Sequence, residues 1–139
     1  MKKRGVLNAQ LSYVLATLGH TDEITLADAG LPIDEQVERV DLALTQGIPR
    51  FIDTLRVILD EIQVEGVILA EELPQVSPHL HQEILTLLTL AAKAQQQPIK
   101  VDYVPHQAFK KQTTQSRAVV RTGECTPYAN LIIQSGVPF

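Results

Sequence analysis

Short apolar runs recur along this chain between stretches whose apolar residues follow a helical period, and no other feature narrows the possible folds as much. The segments ITLAD (24–28), VERVDLAL (37–44), VEGVILAEEL (64–73), IKVDYVP (99–105), RAVVRT (117–122) and NLIIQSGV (130–137) read as extended. The VILA core of the third is the kind of continuous run that a fully buried strand carries. Between these segments, Leu11, Val14, Leu15 and Leu18 keep helical spacing behind Asn8, a good helix cap. Phe51, Leu55, Ile58, Leu59 and Ile62 do the same within 50–62, and Leu80, Ile84, Leu87, Leu88 and Ala91 within 79–96. HQAFKKQTTQS, after the fourth run, reads as a short helix. Strands interleaved with helices predict a single-domain three-layer α/β/α sandwich on a mostly parallel, mixed sheet. No repeat or long linker divides the 139 residues, which suffice for one core. Strand order is not legible at this level.

The core must be aliphatic, because 45% of residues are hydrophobic while only 4% are aromatic. A net charge of −4 with no basic cluster leaves nothing to follow a phosphate backbone, so no nucleic-acid partner is expected. Cys125 is the single cysteine, which excludes an intrachain disulfide and the CxxC pattern of zinc ribbons. The start, MKKRGVLNAQ, has no apolar run behind its basic residues, and no segment is long enough to span a membrane. A cytoplasmic, reduced protein without a membrane partner is the expectation.

Ligands of open α/β sheets gather at the carboxyl ends of strands. Asp28 ends ITLAD, His106 follows IKVDYVP, and Glu124, Cys125, Tyr128 and Asn130 lie in GECTPYAN between the last two runs. Each has an ordinary structural use. Asp28 can bond the backbone of its own turn, His20 can donate to the last carbonyls of a helix, and His106 with Lys110, four apart in HQAFK, can form a solvated helix face. Glu71 and Glu72 read as a solvated strand end, and Cys125 as a small packing residue. His79 and His81 are two apart on a helix and point away from each other, so no metal is expected. The functional reading of His20 rests on an imidazole that titrates near neutrality and passes protons both ways. Tyr128 with Asn130 offers a ring face beside donors and acceptors, which is what a sugar presents itself to.

Taken together and in order, LGHTD, DAGLP, DLALTQGIP, HQAFK and GECTPYAN resemble the ribose pyranase and fucose mutarotase family, from MKKRGVLNAQL to the terminal SGVPF. The resemblance implies a cofactor-free isomerase that interconverts the pyranose and furanose forms of a free sugar, D-ribose, in ribose utilisation. It implies a ring-shaped homo-oligomer, a decamer of two stacked pentamers with sites between neighbouring subunits. By motif, His20 is the catalytic acid. Asp28, His106, Lys110, Tyr128, Ala129 and Asn130 line the sugar site, with Tyr128 and Asn130 reaching from the adjacent subunit.

The chemistry suits such residues. Opening a cyclic hemiacetal needs a base for the anomeric hydroxyl and an acid for the ring oxygen, and closure on another hydroxyl reverses the roles. His106 can share this work with His20. A non-catalytic sugar-binding or regulatory module of sugar uptake is the other class, and a mutarotase for fucose or another aldose a further variant. Two histidines at strand and helix ends favour the enzyme, since binding alone needs no titrating group. A nucleotide-binding protein is disfavoured by the lack of GxGxxG and P-loop patterns.

Overall fold

The structure, a computed structural model, describes residues 1–139. Helix α1 (Ala9–Thr17) begins where the Asn8 side chain accepts the Leu11 N–H at 2.8 Å. There follow β1 (Glu23–Ala27), β2 (Glu38–Asp41), α2 (Phe51–Leu59) and β3 (Val64–Ala70). A short α3 (Leu73–Val76) leads into the long α4 (Pro78–Gln95), then β4 (Lys100–Val104) and α5 (His106–Gln112). A single 3-10 turn, β5 (Ala118–Arg121) and β6 (Leu131–Ser135) complete the chain. Each extended and helical segment expected from the apolar pattern is present. The one addition is α3, where the prolines predicted a plain turn. Pro74 and Pro78 stand in the first turns of α3 and α4, where a missing N–H costs no helical hydrogen bond.

The sheet has six strands in the order β2-β5-β1-β6-β3-β4. β1 pairs parallel to β5, β5 to β2 and β3 to β4, whereas β6 runs antiparallel to both β1 and β3. β6 thus fills the point where the chain turns from building one half of the sheet to building the other. Because it runs backwards, its first residues lie at the same edge as the carboxyl ends of all the other strands.

One face of the sheet is covered by α1, α2 and α4. Val14, Phe51, Leu55, Ile58, Ile84 and Leu88 pack there on Ile24, Leu26, Val67, Leu69, Leu131 and Ile133 in one continuous core. Phe51, Leu55, Ile58 and Ile84 have no exposed surface, and burying side chains of this size stabilises by about 1.5–3 kcal/mol each. The opposite face carries a smaller core of Ala27, Leu31, Ile68, Phe109, Val119 and Ile132 under α5 and the segment before β2. The sandwich has three layers, but the second outer layer is one short helix and a loop.

Candidate functional site

Asp28, His106, Tyr128 and Asn130 meet at the carboxyl edge of the sheet, around the start of β6. Asn130 is 1% exposed and locks Asp28 from both sides. Its Nδ2 donates to Asp28 Oδ2 at 2.9 Å, and its Oδ1 accepts the Asp28 N–H at 2.9 Å. The other carboxylate oxygen of Asp28 accepts the Gly30 N–H at 2.9 Å, the turn bond expected of an aspartate before Ala-Gly. The structural and the functional uses of Asp28 therefore coexist. Its carboxylate is aimed by the turn and braced by the amide.

The ring of Tyr128 stands edge-on to that of His106, with centroids 5.0 Å apart and planes at 87°. On its other side His106 stacks over Phe109 at 6.2 Å and 14°. Its Nδ1 is buried with no hydrogen-bond partner, a donor or acceptor left for a ligand or water. His106 is the first residue of α5, and its N–H is accepted by both carboxylate oxygens of Glu72, at 3.0 and 3.2 Å. Glu72 is therefore not the solvated strand end that its sequence position predicted. It substitutes for the cap that Pro105 cannot supply, because proline has no side-chain acceptor. Glu71 is exposed as expected. Lys110 lies one turn beyond His106 on α5, half-buried, and its ammonium forms no ion pair.

The loop 123–130 owes its shape to a buried acid. Glu124 accepts the Thr126 hydroxyl at 2.8 Å and the N–H groups of Phe51, Cys125 and Thr126 at 3.2 Å each. Burial pushes its carboxyl pKa up. The Thr126 hydroxyl and the three amides outweigh that effect, and the pKa lies below the ordinary glutamate value of 4.5. Phe51 opens α2, so this carboxylate also meets the positive end of a helix whose cap, Arg50, offers no acceptor. Gly123 must be glycine, because an added Cβ would overlap the carbonyl oxygens of Thr45 and Ile48. Tyr128 is held at φ 61°, a left-handed conformation that costs a bulky residue roughly 1–2 kcal/mol. The Asn130 N–H on the Tyr128 carbonyl (2.8 Å) and the Ser77 hydroxyl on the Pro127 carbonyl (2.8 Å) hold it there. Ala129, between these residues, has no exposed surface and packs into the larger core. Strain of this kind in a loop beside converging polar groups is what a preorganised site shows.

His20 is elsewhere. It precedes β1 while Asp28 follows it, so the two lie at opposite edges of the sheet, roughly 20 Å apart at the rise of an extended strand. Tyr128 and Asn130, expected from the adjacent subunit, instead stand beside Asp28 and His106 of the same chain, because antiparallel β6 starts at that edge. Within the chain, His20 is thus the residue separated from the rest. It does not donate to helix carbonyls either. Its Nε2 lies 2.9 Å from Glu65 Oε2, in a pair whose side chains are 54% and 57% exposed.

The remaining residues singled out from the sequence go separate ways. His79 pairs with Glu83 at 3.2 Å and His81 with the Tyr103 hydroxyl at 2.7 Å, each in its own direction. Cys125 is exposed, not packed, because Glu124 takes the inward position of that loop. A concavity of about 760 Å³ lies among the ends of α1, α2 and α4 and the C-terminal segment. Leu15, Leu18, Leu59 and Leu87 line it together with Arg56, Glu61 and Gln95, and no residue of the Asp28 cluster is among them. The cluster is the better candidate for a sugar, whose hydroxyls need partners.

A family model described as the RbsD / FucU transport protein family matches residues 1–138. The D-ribose pyranase of Vibrio parahaemolyticus is 60% identical to this chain, and that of Aliivibrio salmonicida 58%, each over 139 residues and the whole of both chains. Among solved structures, Bacillus subtilis RbsD complexed with D-ribose superposes with a TM-score of 0.89 at 45% identity, covering 100% of each chain.

Proposed function

The chain belongs to the RbsD / FucU transport protein family, and from that membership we propose that it is an isomerase interconverting the pyranose and furanose forms of D-ribose. The observation that carries this reading is the full-length identity to proteins named D-ribose pyranase, beside a ribose complex of the same fold. The cluster at the carboxyl edge is consistent with it, since Asp28, Asn130 and the His106 and Tyr128 rings offer both partners for hydroxyls and faces for C–H groups.

The reaction needs only proton transfers. The anomeric hydroxyl loses a proton as the ring oxygen gains one and its bond to the anomeric carbon breaks. A different hydroxyl then adds to the aldehyde with the proton movements reversed. If spontaneous opening takes minutes, its barrier is about 21 kcal/mol. Placed acid and base groups accelerate such steps by roughly 10²–10⁴-fold, so a few side chains suffice.

In this scheme Asp28, His106, Lys110, Tyr128 and Asn130 hold the sugar, Ala129 packs beneath them to shape the site, and His20 carries the proton. The separation of His20 from the cluster supports an assembly in which a neighbouring subunit brings its His20 to this edge. A ring of subunits, a decamer of two stacked pentamers, satisfies every copy in the same way. No helix is long and apolar enough to cross a membrane, and the proposed place of work is the cytoplasm, on sugar already taken up. Saturation-transfer NMR on ribose tests the activity directly. Exchange between pyranose and furanose signals should rise with enzyme after chelator treatment, and a rate equal to buffer would overturn the reading in favour of a sugar-binding module.

A further inference from the structure

Glu65 is the one exposed residue of β3, whose other positions are all buried. Counting back by twos from Leu69 and Val67, which face the larger core, the next inward position belongs to Glu65. Val64 occupies it instead and is 1% exposed. The cause is a β-bulge: Val64 pairs with Ser135 and Gly66 with Gln134, leaving Glu65 as the extra, unpaired residue. A bulge of this kind re-aims a side chain, and here the carboxylate is turned toward His20 at 2.9 Å.

The backbone of His20 is tied down independently. Thr21 N–H donates to the Ser135 carbonyl and Ser135 N–H to the Asp22 carbonyl, both at 2.9 Å, and Gly19 N–H donates to Asp22 Oδ2 at 2.8 Å. Asp22 is further occupied by Arg117 at 3.2 Å. The charged groups of this turn are thus engaged with each other, and Glu65 is the carboxylate left to the imidazole. An ionised carboxylate only accepts, so the contact is a hydrogen bond only when Nε2 carries the hydrogen.

We propose that Glu65 is a positioning residue for His20: it selects the ring orientation and the tautomer protonated on Nε2, and leaves Nδ1 as the atom that exchanges a proton with the sugar. This role rests on the reading of His20 as the proton carrier. In the opening direction Nδ1 of the imidazolium gives its proton to the ring oxygen as the bond to the anomeric carbon breaks. The anomeric hydroxyl gives up its own proton to a base or to water, so the sugar neither gains nor loses one overall. In the closing direction both transfers reverse. A carboxylate that orients a proton-carrying imidazole through its other nitrogen is a recurrent arrangement in acid–base catalysis.

The test uses ¹⁵N-histidine-labelled protein, with His20 signals identified by their loss in His20→Ala. Wild-type His20 should show the Nε2-protonated neutral tautomer. In Glu65→Ala that preference should relax to the weaker one that a free imidazole has for Nε2–H, and ribose exchange should fall roughly tenfold, less than on removing the imidazole itself. Ribose affinity by calorimetry should stay within about twofold. Glu65→Gln, which keeps an acceptor, should recover part of both readouts. An unchanged tautomer with full exchange in Glu65→Ala would overturn the proposal. Full exchange in His20→Ala would instead overturn the reading beneath it, and the tautomer result would show which of the two had failed.

Discussion

Asp28 and Asn130, 102 residues apart in sequence, exchange two hydrogen bonds of 2.9 Å, one through the backbone N–H of Asp28 and one through its carboxylate. This pair joins the end of β1 to the start of β6, which run in opposite directions, and so makes a single rigid wall from two strand termini. Asn130→Ala removes both bonds and leaves the partly buried N–H without an acceptor. The expected cost is about 1–3 kcal/mol of stability, with weaker ribose binding. Chemical denaturation together with calorimetric titration checks both effects, and a variant as stable as the parent with full affinity would deny the bracing role.

His20→Ala and Asp28→Asn should fail differently. Loss of His20, the proposed proton carrier, should lower exchange by roughly 10²–10⁴-fold while affinity changes little. Loss of the Asp28 charge should weaken binding and turnover together, since a group that holds hydroxyls acts in ground and transition states alike. Saturation-transfer NMR and calorimetry on both variants separate the two roles.

Because His20 and the Asp28 cluster occupy opposite edges, the proposed sharing of sites between subunits predicts complementation. Mixing inactive His20→Ala with inactive Tyr128→Ala, after dissociation and reassembly, should restore part of the exchange activity, because some interfaces then combine the intact His20 edge of one chain with the intact Tyr128 edge of another. No recovery from demonstrably mixed oligomers, or a monomer by light scattering, would refute the shared site.

Acid should loosen the loop that carries Tyr128. The Glu124 pKa is lower folded than the ordinary 4.5, so its contribution to stability is present above that value. It is lost as pH falls through the depressed folded value. Asp22, held below 3.8 by the Gly19 N–H and by Arg117, acts with the same sign. Stability measured by denaturant titration should therefore drop below pH 4.5 in the parent and drop less steeply in Glu124→Gln.

Gly123→Ala should be costly although it adds a single carbon. The atoms in its way are backbone carbonyls of the Thr45–Ile48 turn, which cannot rotate aside as a side chain would. A loss of about 1–3 kcal/mol is expected from such overpacking, read as a lowered thermal midpoint.

The elements of the fold were legible because their causes are local. A period of two or of 3.6 in Val, Ile and Leu marks which face is buried wherever the segment later packs. Asn8 caps α1 through a bond three residues away, and Asp28 binds its turn through one two residues away. The motifs also named the residues that gather at the carboxyl edge. What the local pattern could not carry is every relation set by strand order. The backward insertion of β6 between β1 and β3 is what brings Tyr128 and Asn130 to Asp28 within one chain and leaves His20 at the far edge. Glu72 as the acceptor for His106, and Glu65 as the bulged residue facing His20, depend on partners 34 and 45 positions away. A carboxylate at a strand end looks the same in sequence whether it meets water or a histidine. Only the register of one strand against another, fixed when the sheet closes, decides which.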